Sequence, residues 1–241
     1  INLGANVQRL KGDVQFENKG LLLFCDSAYF YPNNFIEAFG RVHANRGDTI
    51  HLHSDELEFD GDKQVAIAIG NVSLSDKEML LESNQLYFNI KENTSSYFNG
   101  GIIHNKKNTL TSKRGYYNSN TKVFSFKDSV QLKNPDYTMY TDTLQFNTFS
   151  EIAYFFGSTT IISKESTIYT EKGWYNTQTD KSELTLNNEL RSTEQTLYDD
   201  SILYDRHLGR SRAFFNILIG VFLVFCHFIE FRGYVFSNEF F

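Results

Sequence analysis

The stretch Leu52-His53-Ser54-Asp55-Glu56-Leu57-Glu58-Phe59 decides the fold, because versions of it return every 29 residues through most of the chain. We take Ser54 as the anchor of this copy. The anchors of the seven copies follow one another without insertion: Cys25, Ser54, Ser83, Ser112, Thr141, Thr170 and Asp199. A fixed period of this length predicts a repeat architecture.

Three further columns keep the same register around the anchors. An aliphatic residue or Met stands two positions earlier: Leu23, Leu52, Leu81, Leu110, Met139, Ile168 and Leu197. An aromatic residue stands five positions later: Phe30, Phe59, Phe88, Tyr117, Phe146, Tyr175 and Tyr204. The residue directly after the anchor is polar and mostly acidic: Asp26, Asp55, Asn84, Lys113, Asp142, Glu171 and Asp200. Columns that agree in one register are not a chance pattern.

Each repeat contains two groups of turn-forming residues, such as Ser75-Asp76-Lys77-Glu78 and Lys91-Glu92-Asn93. Asn and Asp favour turns because their side chains bond the nearby backbone. Between the turns, segments such as Thr49–Phe59 alternate apolar and polar residues, which is typical of β-strands. Each repeat is therefore predicted to be one long antiparallel hairpin.

The spacing within a strand predicts a bend. Leu52 and Phe59 are both apolar but stand seven positions apart, which would place them on opposite faces of a regular strand. They share one interior only if the strand bends or bulges between them, near Ser54-Asp55. The predicted fold class is thus all-β, an elongated folded β-meander or β-jelly-roll trough of hairpin repeats. The alternative is a parallel β-helix, which usually has three turns per coil, whereas this repeat has two.

Residues 1–216 are predicted to form this repeat domain, with both ends of the array cut. Residues 217–241 are an apolar tail in which the repeat pattern stops, beginning with Ile217–Ile229. Three interpretations compete: a membrane-inserted tail, which would be short for a span, a terminal strand that plugs the trough, or a segment foreign to the fold. The abrupt change in composition favours the third.

Composition and motifs exclude several classes of function. The net charge of −6 argues against binding to nucleic-acid phosphates. Cys25 and Cys226 make neither a disulfide framework nor a zinc motif. The sequence has no phosphate-binding loop, no dinucleotide fingerprint, no HExxH and no GxSxG. We therefore predict a protein that is not an enzyme and has no cofactor.

Three groups of reactive residue types have simpler interpretations. His51 and His53 share one strand face at metal-ligand spacing, but Leu52 takes the apolar face, so we expect both histidines to point to water and to hold no metal. The acidic column is expected to solvate the corner rather than to catalyse a reaction. Cys25 fills a slot otherwise held by Ser or Thr, which indicates a small half-buried residue and not a nucleophile.

The aliphatic and aromatic columns would line one continuous apolar surface. One interpretation is a closed core, as in a structural or adhesive β-solenoid, and the other is a groove that accepts an apolar ligand. Small residues such as Gly115, Gly173, Ala66 and Ala153 leave room for either. A carbohydrate-active β-helix enzyme is a third hypothesis, but no exterior cluster of carboxylates or of Arg and Lys supports it.

These motifs resemble the OstA/LptA organic-solvent-tolerance family. Its hallmark is a strand ending in aliphatic-x-Ser-Asp-x-Leu-x-Tyr/Phe, followed by a strand ending in Ala-x-Gly-x-Val. Leu52–Phe59 and Ala68-Ile69-Gly70-Asn71-Val72 match both parts. The resemblance covers about residues 1–216. The fourth and sixth copies depart from it, with Lys113 and Glu171 at the Asp position and Gly115 and Gly173 at the Leu position.

The resemblance implies a function. Members of that family form a β-jelly-roll trough in the Gram-negative periplasm, carry lipopolysaccharide with its acyl chains in the groove, and stack end to end. It therefore implies a non-enzymatic lipopolysaccharide transport or bridge protein, located in the periplasm in association with the outer or inner membrane. The implied partners are the lipid A acyl chains of lipopolysaccharide and other jelly-roll components of the transport bridge, joined by strand addition, and no nucleic acid. The predicted groove lining is Leu23, Leu52, Phe59, Leu81, Phe88, Leu110, Met139, Phe146, Ile168 and Tyr175.

Overall fold

A computed structural model of the chain is built from antiparallel β-strands. It describes residues 7–18, 20–46, 50–105, 108–164, 166–179, 181–192, 196–205, 210–214 and 230–232. The chain divides into two compact units, Ile1–Thr121 and Lys122–Phe241, called unit 1 and unit 2 below. That residues 1–216 form one repeat domain stays a prediction.

The described residues of unit 1 form ten strands. They are β1 (Gln8–Asn18), β2 (Leu21–Phe30), β3 (Phe35–Arg46), β4 (Ile50–Asp60), β5 (Val65–Ser75), β6 (Met79–Asn89), β7 (Thr94–Tyr97), β8 (Gly101–Asn105), β9 (Asn108–Ser112) and β10 (Arg114–Asn118). The long strands β1 to β6 pair in sequence order. In the fourth copy the two long strands are each broken in the middle, and β6 pairs with both β7 and β8.

The described residues of unit 2 form eight more strands. They are β11 (Val123–Lys133), β12 (Tyr137–Asn147), β13 (Ile152–Ser163), β14 (Ser166–Asn176), β15 (Lys181–Ser192), β16 (Thr196–Asp205), β17 (Arg210–Phe214) and β18 (Glu230–Arg232). Each strand pairs antiparallel with the next. Of the apolar tail only β18 belongs to the described residues, so the three interpretations of residues 217–229 and 233–241 lie outside them.

The predicted all-β class and its hairpin repeats are confirmed. The segment predicted as Thr49–Phe59 is β4, and both of its neighbours run antiparallel to it. Every ladder reported for the described strands is antiparallel, which excludes a parallel β-helix for that part of the chain.

A β-bulge at mid-strand produces the predicted corner, but the extra residue lies on the neighbouring strand. In β3, Gly40 and Arg41 together face the single residue Asp55 of β4, where the register shifts. Gly70 and Asn71 of β5 face Asp55 in the same way. Each pair has positive φ, for example +77° at Gly70 and 45° at Asn71, a conformation that glycine adopts without strain.

The bulge lets both halves of a strand bury the same side. Leu52 and Leu57 are both buried although an odd number of positions separates them, which a regular strand does not allow. The pattern repeats in unit 2 at Met139 and Leu144. The core of each unit is therefore a set of rows that run across the strands on their buried side, which is called the inner side below.

The turns at one end of the hairpins are also bonded to one another. The backbone N–H of Ile90 donates to the carbonyl of Gln64 at 2.9 Å, and that of Thr177 donates to Glu151 at 2.9 Å. Both acceptor residues have positive φ. Within the turns, side chains such as Asn147 accept backbone N–H groups two and three residues on. These bonds hold successive repeats in register at the turn as well as along the strands.

Candidate functional site

All ten predicted groove residues lie on the inner side of their strands. Seven are buried and three are half-buried: Leu23, Leu52, Leu81, Leu110, Met139, Ile168 and Tyr175, and then Phe59, Phe88 and Phe146. Within unit 1, Leu74 lies opposite both Leu52 and Leu81. Within unit 2, Ile161 lies opposite both Met139 and Ile168. Each unit thus assembles its share of the predicted residues into an apolar row.

The aromatic column forms a second inner row that differs between the units. In unit 1, Ala66 lies opposite both Phe59 and Phe88, and all three side chains are half-buried. The corresponding Ala153 of unit 2 is only 2% exposed, and its register partner Tyr175 only 6%. The other register partner of Ala153, Phe146, is half-buried like Phe59 and Phe88. The aromatic rows therefore differ at Ala153 and Tyr175, which are buried in unit 2, whereas Ala66 and Phe88 of unit 1 are half-buried.

The aliphatic row shows the same difference. Leu52 and Leu81 are 8% and 7% exposed, whereas Met139 and Ile168 are 3% and 2% exposed. Leu190, which lies opposite Ile168, departs from this trend at 7%. The inner side of unit 2 is the more tightly filled of the two.

Aromatic rings that the sequence analysis missed account for much of the filling. Tyr97, which is 2% exposed, lies opposite Gly115. A Cβ atom built on Gly101 would come within 2.5 Å of the Tyr97 ring, and one on Gly115 would overlap it. The phenol oxygen lies 2.7 Å from Oγ of Ser112, and burial raises the pKa of the phenol. The space at Gly115 is thus occupied by protein.

Phe155 has the same role in unit 2. It is 2% exposed and lies opposite Leu144 on one side and Gly173 on the other. A Cβ atom on Gly173 would overlap the Phe155 ring. The signal for this packing was present in the sequence, since Tyr97 and Phe155 stand where another copy has Ala68. An aromatic residue in place of Ala requires Gly in place of a facing Leu.

The anchor column has a structural role. Oγ of Ser54 donates to the carbonyl of Glu56 at 2.9 Å, and Oγ1 of Thr170 donates to Lys172 at 3.0 Å. Ser83 and Ser112 make the same bond two residues on. A bulge interrupts the ladder, so the hydroxyl satisfies a carbonyl at the corner. Cys25 fills this slot in the first copy, is 4% exposed and not half-buried as expected, and has a thiol whose pKa is raised by burial.

The acidic column packs against the bulges. A Cβ atom on Gly70 would lie 2.5 Å from Oδ2 of Asp55, and that carboxylate accepts a bond from Nδ2 of Asn71 at 2.8 Å. In unit 2, Oδ2 of Asp142 lies over Gly157 and accepts the N–H of Ser158 at 3.1 Å. These carboxylates bond their own corners, as expected of groups that solvate a bend.

A match to a family model shows the family of this chain. The model of the family described as OstA-like protein matches residues 1–142 and 138–200. This chain belongs to the OstA-like family. No curated protein matches it significantly. Among solved structures, the OstA-like chain matches LptH from Pseudomonas aeruginosa, the LptA-homologous periplasmic component of a lipopolysaccharide transport device. That match has a TM-score of 0.31 and 17% identity, and covers 58% of this chain and 85% of the LptH chain.

In this OstA-like chain the residues that carry the resemblance all meet at the bulge. Ser54 bonds the backbone there, Asp55 lies over the glycine of the next strand, and Gly70 adopts positive φ. Gly115 and Gly173, which depart from the family pattern, face Tyr97 and Phe155. Within the described residues, the structure has no helix of the length and apolar character needed to span a bilayer.

Proposed function

We propose that this OstA-like protein binds lipopolysaccharide in the periplasm and shields its acyl chains during transport towards the outer membrane. The observation that carries the proposal is the partly exposed apolar row of unit 1, in which Ala66 stands between Phe59 and Phe88. An inner apolar surface that solvent still reaches is suited to a ligand that must leave water.

The energetics favour such a ligand. Each buried CH₂ group contributes about 0.8 kcal/mol, so a single acyl chain gains several kcal/mol on an apolar row. The second inner row adds the buried Leu52 and Leu81 and the half-buried Leu74 between them, which present only aliphatic carbon. An acyl chain needs no hydrogen-bond partner and can slide along such a surface, as a transport protein requires.

The two units have different parts in this proposal. The half-buried row and the more exposed aliphatic side chains support an acyl-chain site in unit 1. In unit 2 Phe155 and the buried Ala153 and Tyr175 support a core filled by its own side chains. The buried Met139, Ile168 and Tyr175 then serve mainly to hold unit 2 together. The predicted residues of unit 1 contact the lipid, and the half-buried Phe146 of unit 2 is exposed to a similar degree.

Site-specific photo-crosslinking tests the proposal. A benzophenone amino acid replaces one aromatic residue at a time, so that the packing changes little: Phe59 or Phe88 in unit 1, Tyr175 in unit 2, and Tyr116 as a control. Tyr116 is 44% exposed and next to the buried Gly115, so it lies on the outer face. We expect lipopolysaccharide adducts at 59 and 88, and none at 116.

The opposite results are informative. Adducts at 116 as strong as those at 59 would mean non-specific contact, and adducts at no inner position would count against lipid binding. The latter result would favour a second candidate, a structural or adhesive protein with a closed core. The filling of glycine gaps by Tyr97 and Phe155 is the observation that favours this alternative.

We also propose that the protein joins other jelly-roll components of a transport bridge by strand addition. The support is its construction from stacked strands, in which a terminal edge strand offers unpaired backbone groups. Cysteine pairs placed on terminal strands of two copies or of two components would form disulfides if such stacking occurs, and a monomer at all concentrations would contradict it.

A further inference from the structure

Three histidines of unit 1 lie together on the outer side of their strands. His43 is in β3, and His51 and His53 are in β4. Ala44 and Leu52, the residues next to them, are buried. Because side chains alternate between faces along a strand, the three imidazoles share the outer face. This cluster has no part in the lipid function proposed above.

The imidazole rings are in contact. The ring centroids of His43 and His53, which are register partners, are 4.3 Å apart, and the planes are inclined by 6°. The ring of His51 also lies beside that of His43, and their centroids are 5.6 Å apart. Nε2 of His43 is 3.3 Å from Nδ1 of His51. Two nitrogens at this distance share one proton, which one donates and the other accepts.

The nitrogen spacing matches that of a metal centre. Zinc binds imidazole nitrogen at about 2.0–2.1 Å, so two imidazoles on one tetrahedral ion have their nitrogens about 3.4 Å apart. The observed 3.3 Å between His43 and His51 is close to this value. An ion that replaces the shared proton would therefore require little movement of the backbone.

The register partners of the three histidines, other than one another, are uncharged: Phe24, Asn45, Ser73 and Ser75. None of these four partners repels a cation. A neutral imidazole has one ring nitrogen with a free lone pair, and this is the form that binds a metal.

We propose that His43 and His51 form a binding site for a divalent transition-metal ion that prefers imidazole, Cu²⁺ or Zn²⁺, with His53 beside it. Among the described residues no three His, Cys, Asp or Glu side chains are placed to hold one ion together. The site is therefore a two-imidazole site with positions open to water. Of these two ions Cu²⁺ binds the more tightly at such sites.

Calorimetric titration of the metal-stripped full chain with Cu²⁺, and then with Zn²⁺, tests the site. We expect binding of one ion per chain, and weakening by about tenfold or more in H43Q and in H51Q, since even outer partners of a metal ligand have effects of about that size. H104Q is the matched control. His104 is also on the outer side of unit 1, but it lies 3.6 Å from Glu82 rather than among histidines. We expect wild-type affinity for H104Q.

Electron paramagnetic resonance of the Cu²⁺ form keeps the test independent of the variants. Hyperfine coupling to two imidazole nitrogens in the wild-type protein is the expected spectrum, and circular dichroism shows whether each variant is folded. Absence of binding, equal affinity of H43Q, H51Q and wild type, or equal losses in H104Q would each overturn the proposal.

Discussion

Ala68 in unit 1 and Phe155 in unit 2 occupy the same place three repeats apart, and they show how one repeat produces two kinds of interior. Ala68 lies between Leu57 and Leu86. Phe155 lies between Leu144 and Gly173. All of these side chains are buried, so volume lost at one position is regained at its neighbour, as close packing requires.

The difference matters because the corner geometry is the same in both units. Asp55 lies over Gly70 in unit 1, and Asp142 lies over Gly157 in unit 2. The backbone geometry is therefore shared at these two corners, and the interiors beside them differ in which side chains fill them. Four predictions test this contrast, and the largest expected effect comes first.

Phe155→Ala should cause the largest loss. Removal of a buried Phe side chain costs about 3–5 kcal/mol, and here the cavity would open beside Gly173. Urea denaturation gives the loss in the free energy of unfolding. The double variant F155A/G173L copies the Ala–Leu arrangement of unit 1 and should recover part of that loss. A single-variant loss below about 1 kcal/mol would show that the ring does not fill the core.

Ala153→Phe and Ala66→Phe form a matched pair at equivalent positions. Overpacking a filled core costs about 1–3 kcal/mol, so A153F should destabilise unit 2, where the Ala side chain is 2% exposed. A66F enters a half-buried row and should cost less, but it should block lipopolysaccharide adducts at position 59. Urea denaturation gives both stability losses. Equal losses in the two variants would contradict the proposed difference between the interiors.

Gly70→Ala and Gly157→Ala should have similar effects, because the corner is common to both units. Each glycine has φ near +80°, and a Cβ atom would meet the carboxylate of Asp55 or Asp142. A left-handed conformation alone costs a non-glycine residue about 1–2 kcal/mol. Hydrogen exchange can report on each unit separately. If one variant loses protection in its own unit and the other variant does not, the two corners differ.

The smallest expected effect is a pH dependence of the stability, and it arises in unit 1. The pKa of His43 is lowered in the folded chain, by burial first and then by His53 and His51. The unfolded chain therefore binds this proton more readily, and stability present above pH 6.5 is lost as pH falls below it. The urea midpoint should decline between pH 7.5 and 5.5 in wild type and decline less in H43Q. An equal decline in H43Q would assign the pH dependence to other groups.

Much of the fold follows from local pattern. The period, the alternation along β4 and the turn residues predict stacked antiparallel hairpins, since each signal depends on residues close in sequence. The odd spacing between Leu52 and Phe59 even locates the corner. That the bulged residues are Gly70 and Asn71 on the next strand was not predicted, because a bulge is a property of a strand pair and its register.

The histidine cluster shows the same limit. His51 and His53 were predicted to share an outward face, and they do. The pairing of β3 with β4 brings His43 to His53. The spacing of residues within either strand does not predict that contact. The prediction that these histidines hold no metal was made from His51 and His53, without His43.

The amino-acid sequence by itself determined that this chain is a stack of β-hairpins with an apolar inner side, because strand, turn and period are encoded by the order of residue types. Only the tertiary structure decided where that inner side is filled. Tyr97 and Phe155 reach glycines that are distant in sequence, and whether a ring enters a gap depends on which residues the register places opposite each other.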